Sequence, residues 1–121
     1  MNRRELEKKL SLVASRLIKD KGYICMIDVF LGLEYLTEKD LESWRMKRIP
    51  YLEKCIKVNL GRISFIVKTV RVNCRKGQLK ESHTSYKSWG KGAKKTLQFS
   101  KSGNTNIEAV YSTHYLRNNK P

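Results

Sequence analysis

Along the first two dozen positions, apolar residues return at helical intervals. Leu6, Leu10, Val13, Leu17 and Ile18 step by four, three, four and one between charged neighbours. The spacing predicts an amphipathic helix over Arg4–Lys21. Gly22 ends it, after a "KDK" whose cations suit the carboxyl end of a helix dipole. A second, shorter helix is expected from Asp28 through "VFLGLEYL", apolar on most sides and therefore central. Thr37 then opens a third. Its hydroxyl can cap, Asp40 stands three residues on as a shortened capping box, and Leu36 can staple onto Leu41. Leu41, Trp44 and Arg48 share one side of that helix. Pro50 lacks an amide donor and restricts Ile49, so it must end this helix or begin another, and "PYLEKCIKV" fits a new helix with Pro50 in its first turn.

From Asn59 the pattern is ambiguous. Leu60, Ile63, Val67, Val70 and Cys74 step by three and four, which argues helix, with Arg62, Lys68, Arg71, Arg75 and Lys76 off the apolar seam. The run "SFIVKTVRV" is also rich in β-formers, so a strand over 63–72 stays open. Beyond Gly77, "SHTSYKSW" is short and β-prone, and "TLQFS" alternates with Leu97 and Phe99 on one face. These two segments predict a hairpin over 82–100 with a long tip. A turn at Gly103, a cap at Asn104 or Thr105 and a closing helix carrying Ile107, Val110 and Tyr111 follow, and "RNNKP" reads as a frayed tail. The fold class expected is α+β and mainly α-helical. It is a compact bundle of four to five helices with a C-terminal basic β-hairpin and a short closing helix, in one domain over 1–121. That outline also accommodates a winged helix-turn-helix.

Charge changes this picture most. The formal net charge is +15 over 121 residues, and it is uneven. Met1 to Glu53 carries eleven basic and nine acidic residues, whereas Lys54 to Pro121 carries fifteen basic residues against Glu81 and Glu108. The chain therefore divides into a near-neutral helical part, 1–58, and a strongly basic part, 59–121. Such an excess repels itself unless a polyanion balances it, and nucleic acid is the usual one. An acidic protein or a ribonucleoprotein is the alternative partner. No apolar run approaches the roughly 18 residues of a membrane span, so no membrane partner is expected. Three widely spaced cysteines without a Cys-x-x-Cys pair, Cys25, Cys55 and Cys74, read as buried reduced thiols of a cytoplasmic protein. No cofactor and no metal site is expected.

The chemistry worth testing lies in "YKSWGKGAKKTLQFSKSG", Tyr86 to Gly103, with five lysines, three glycines, three aromatics and no acid. It is not a Walker A loop, because Lys94 stands where that motif needs glycine before "KT". What it offers is Lys87, Lys91, Lys94 and Lys95 for phosphates, beside Tyr86 and Trp89 for stacking, on a tip that Gly90 and Gly92 leave pliant. Its charge continues into Arg71, Arg75, Lys76, Lys80 and Lys101, forming one expected phosphate surface that favours DNA slightly over RNA. In the winged-helix reading Ser43, Arg45, Lys47 and Arg48 would read the major groove, although Glu38, Asp40 and Glu42 in the same helix oppose phosphate. His83 and His114 suggest a third role, a metal-independent ribonuclease in which one imidazole takes the 2′-hydroxyl proton and the other protonates the leaving oxygen. That role requires the two rings to meet in one cleft.

The elements "D-L-E-x-W-R", "R-I-P-Y-L-E" and "F-S-K-S-G" resemble those of small bacterial proteins of unknown function, over the C-terminal three-quarters of the chain. The resemblance implies a bacterial source and an intact domain, and carries no activity. Within these elements, Arg48 and Tyr51 could fix the bend at Pro50. Ser100 to Gly103 could present amides to an anion or simply form a capped turn.

Overall fold

The computed structural model describes residues 2–117. Helix α1 spans Arg3–Lys21, with Asn2 as N-cap and Gly22 in the left-handed region at φ 81. Leu6 and Leu10 are buried and Val13, Leu17 and Ile18 pack against the core, the stripe that the periodicity requires. A two-residue strand, β1, follows at Tyr23–Ile24. Helix α2 covers Met26–Gly32 with Cys25 as N-cap, so it starts two residues before Asp28 and stops well short of Leu36. Met26, Val29 and Phe30 are fully enclosed, which makes it the central helix as expected.

Helix α3, Glu38–Arg45, begins where Thr37 Oγ1 accepts the Asp40 amide at 3.1 Å. It ends five residues before Pro50, because Lys47 turns the chain with φ 60. The helix expected after Pro50 is only a 3-10 turn, Leu52–Cys55. The ambiguity at 63–72 resolves as helix: α4 runs Leu60–Lys76, capped by Asn59. Its seam is Ile63, Ile66, Val70 and Cys74, whereas Leu60 is 60% exposed and lies off it.

Strand β2, Lys80–His83, does not pair with Thr96–Ser100. After helix α5, Thr105–Ser112, the chain continues directly into β3, Thr113–Leu116, and β2 pairs with that strand instead. The antiparallel sheet has the order β1-β3-β2, with Tyr23 opposite Leu116 and Lys80 opposite Leu116 on the other edge. The hairpin survives in reduced form. A single bridge, Lys87 to Thr96, is flanked by Leu97 N–H donating to Tyr86 O and Ser88 N–H to Lys95 O, both at 2.8 Å. The fold is therefore α+β and mainly helical, with one buried cluster reaching from Leu6 to Tyr115. Among the described residues, no helix is long and apolar enough to cross a membrane. The sequence "RNNKP" lies outside the described residues except for Arg117, which donates through Nη2 to Ile18 O and through its amide to Gly22 O.

Candidate nucleic-acid interface

The glycine- and lysine-rich tip is fastened at its base. Ser88 is buried and accepts the Lys95 amide through Oγ at 3.0 Å, reinforcing the ladder across the loop mouth. Gly90 and Gly92 then turn the chain with φ 102 and 95, values that L side chains rarely adopt. Lys91 stands between the two glycines, and Lys94 and Lys95 between Gly92 and the mouth, all three exposed. Lys94 Nζ donates to Gly90 O at 2.6 Å, and Lys87 Nζ donates to Thr96 Oγ1 at 2.6 Å. No acid occurs between Glu81 and Glu108, so nothing local offsets these charges.

The two aromatics of the segment have different places. Tyr86 is 8% exposed, edge-on to Phe99 at 5.2 Å and tilted against Trp44 at 6.0 Å. Its ring is part of the core and is unavailable for stacking a base, which corrects the expectation from sequence. Trp89 is 52% exposed. Its amide donates to Arg45 O at 2.7 Å, which ties the loop to the end of α3.

Arg45 occupies the space between these rings. Its guanidinium carbon lies 4.9 Å from the Tyr86 centroid and 5.0 Å from that of Trp89, while Nη1 donates to Lys87 O at 3.2 Å. Burial lowers its pKa from the ordinary 12.5. Committed in this way, Arg45 supports the loop from beneath and does not project to read a groove. Lys47 and Arg48 are exposed just beyond it, Ser43 is half-buried, and Trp44 beside them is wholly enclosed.

The remaining basic candidates lie away from the tip. Arg71 and Arg75 on α4 line a groove together with Lys101, and the loop lysines take no part in that lining. Arg75 Nη2 also pairs with Glu81 at 3.2 Å, both groups being well exposed. Lys76 faces a different depression, toward Arg3 and Arg4 of α1. The single surface expected from sequence is thus divided among three places: the tip, the groove and the Lys76 depression.

The histidines do not meet. His83 stands opposite Thr113 and His114 opposite Ser82. Paired positions of an antiparallel ladder share a face and successive residues alternate, so the two imidazoles point from opposite faces of the sheet. Thr113 donates its one hydroxyl proton to Ala109 O at 2.7 Å, so it accepts from His83 Nδ1 at 3.2 Å. His114 stacks on Tyr23 at 5.3 Å and bonds the Tyr86 hydroxyl at 2.7 Å. The two-histidine cleavage chemistry has no geometry here. Burial pushes the Cys25 thiol up to about 12 and the Cys55 and Cys74 thiols up to about 11, which disfavours the nucleophilic thiolate, and Cys55 is half-buried where the other two are buried. Among the described residues, no cluster of His, Cys, Asp and Glu could hold a metal ion.

The turn before α5 proves to be an anion cradle that the protein fills itself. Glu108 accepts the Phe99 and Ser100 amides at 2.7 Å each and the Ser100 hydroxyl at 2.6 Å. Glu53 accepts the Lys101 amide at 3.0 Å and the Tyr111 hydroxyl at 2.5 Å. Glu53 is therefore the residue of "R-I-P-Y-L-E" that reaches "F-S-K-S-G". The sequence signal for such a role is a lone acid in a strongly basic stretch, as Glu108 is. Compared with known proteins, the chain matches no family model, no curated protein and no solved structure.

Proposed function

We propose that the protein binds nucleic acid, with duplex DNA slightly preferred over RNA, through the tip of the 86–101 segment. One observation carries this reading. Lys91, Lys94 and Lys95 stand exposed on a glycine-bent loop whose base is pinned to α3, with the half-exposed Trp89 ring backed by Arg45. A pinned base lowers the ordering cost of presenting three cations to a phosphate backbone. The outer face of Trp89 is free to stack, with the Arg45 charge beneath it. Lys87 and Lys101, with Lys47 and Arg48 beyond α3, extend the positive field, and Arg71, Arg75 and Lys76 add to it at longer range.

The test is a salt series. A fluorescent DNA duplex and an RNA of the same length are titrated with the protein and with a Lys91→Ala, Lys94→Ala, Lys95→Ala triple variant. Each lost phosphate contact removes about 0.9 from the slope of log affinity against log salt on B-form DNA, so the triple variant should lose about 2–3. No binding of either polymer at low salt, or an unchanged slope in the variant, would reject the proposal.

A further inference from the structure

Helices α4 and α5 do not close against each other on the outer side of the molecule. Between them lies an open groove of about 1040 Å³. The large apolar side chains exposed among the described residues are Leu12, Leu60, Val72, Trp89 and Ile107, and three of the five line this one groove: Leu60, Val72 and Ile107. Val67 and Val110 continue the apolar floor, both half-buried. Scattered apolar residues need no explanation, but this concentration on one concave surface does.

The charge around the floor narrows what could cover it. Lys68, Arg71 and Arg75 stand along α4 at steps of three and four residues, which places them in one row parallel to the helix axis. Lys101 adds a further cation at the α5 side. Against them the lining holds one carboxylate, Glu53, already occupied by Tyr111 and the Lys101 amide. Arg75 is partly offset by Glu81. An amphiphile with a single anionic head would need its cations at one end. Cations repeated at helical intervals match carboxylates repeated at helical intervals. From Leu60 to Arg75 the groove wall is about 22 Å long at 1.5 Å per residue, room for about four turns of a docked helix.

We infer that the α4–α5 groove is a docking site for an acidic amphipathic helix of a partner protein. The apolar face of that helix would sit on Leu60, Val67, Ile107 and Val110, with its carboxylates over Lys68, Arg71 and Arg75. The mode is a helix laid in a groove, in which the apolar anchors supply affinity and the charged row sets orientation and partner choice. It is separate from the lysine tip, because none of Lys87, Lys91, Lys94 or Lys95 lines the groove.

The experiment uses a labelled synthetic peptide of about 15 residues, the length of a helix that fills the wall. It carries leucines at intervals of three and four and glutamates along one flank. Its controls are a scrambled peptide of the same composition and a version with lysine for glutamate. At physiological salt the acidic helix should bind and shift the amide resonances of 60–75 and 105–111 in the labelled protein, while both controls fail. Ile107→Ser, and separately Lys68→Glu, should each weaken binding by about tenfold or more, and the uncharged Ile107→Ser change should do so without changing DNA binding. Equal binding of the scrambled peptide, resonance shifts confined elsewhere, or an Ile107→Ser variant with unchanged affinity would each overturn the inference. So would displacement of the peptide by duplex DNA, which would assign the groove to a polyanion, or self-association of the protein that Ile107→Ser abolishes, which would assign it to a second copy.

Discussion

Tyr86 and His114 show how burial governs protonation in a packed pair. Burial pushes the Tyr86 phenol well above its ordinary 10.0, and its hydroxyl lies 2.7 Å from His114 Nε2. Burial also lowers the His114 pKa below the ordinary 6.5, only partly opposed by the Asp28 charge. A folded-state pKa below the unfolded value means that the unfolded chain takes the proton first as pH falls. The stabilisation from neutral His114 is therefore whole above the unfolded 6.5 and is lost as pH drops through the lower folded value. Melting temperatures between neutral pH and about 5 should fall for the parent protein, and His114→Gln should remove part of that slope. Equal slopes in the two proteins would refute the coupling. The two tryptophans separate as sharply. Trp44 is fully buried, with Nε1 donating to Gln98 O at 2.8 Å, and Trp44→Ala should cost about 3–5 kcal/mol by thermal melting. Trp89→Ala should cost only about 1 kcal/mol, the loss of a part-exposed cation–π contact, and should show its effect in nucleic-acid affinity.

At the scale of elements, the helix starts rest on side-chain caps that can be removed one at a time. Asn59 Oδ1 accepts the Arg62 amide at 2.8 Å and opens α4, whose inner face supplies Ile63, Ile66, Val70 and Cys74 to the core. Asn59→Ala should lower stability by about 1 kcal/mol in denaturant titration, with the slope against denaturant unchanged, whereas Asn59→Gly should cost only a few tenths. Much of this level was legible in the chain. For α1 and α3 the apolar spacing and the capping residues point to the same answer, and such agreement is what makes a local reading hold. The strands were not legible for a physical reason. β1 has two residues, and β3 follows α5 without a turn, so no local pattern marks either one. They exist because Tyr23 and Lys80, far apart in sequence, both find Leu116, and strand preference follows such tertiary neighbours more than the backbone itself. The candidate site divides in the same way. Lysines at the tip are visible as composition. That Tyr86 turns inward while Trp89 stays out, and that Arg45 fills the space between them, depends on where the end of α3 meets the loop.

The whole molecule carries +15 in 121 residues, 26 basic side chains against 11 acidic ones, and its ion pairs include Lys21–Asp28 and Arg75–Glu81. With so little internal compensation, the folded state brings like charges closer together than the unfolded chain does, so the excess opposes folding. Screening relieves that repulsion, since the Debye length shrinks to about 10 Å at 0.1 M salt. The melting temperature should therefore rise with sodium chloride from low ionic strength. A short DNA duplex at low salt should raise it further by mass action. At a free concentration of about 100 times Kd the gain is about 2.7 kcal/mol, or about 10 °C for a domain of this size. The two effects have different origins and separate on that basis. General screening acts on every cation, so the Lys91, Lys94, Lys95 triple alanine variant should keep most of its response to sodium chloride. The DNA effect depends on contacts at the tip and on released counterions, so the variant should lose most of it, and the parent should lose it too at about 0.5 M salt. A DNA-induced rise that persists at high salt, or that is the same size in the triple variant, would place the binding surface elsewhere than the tip.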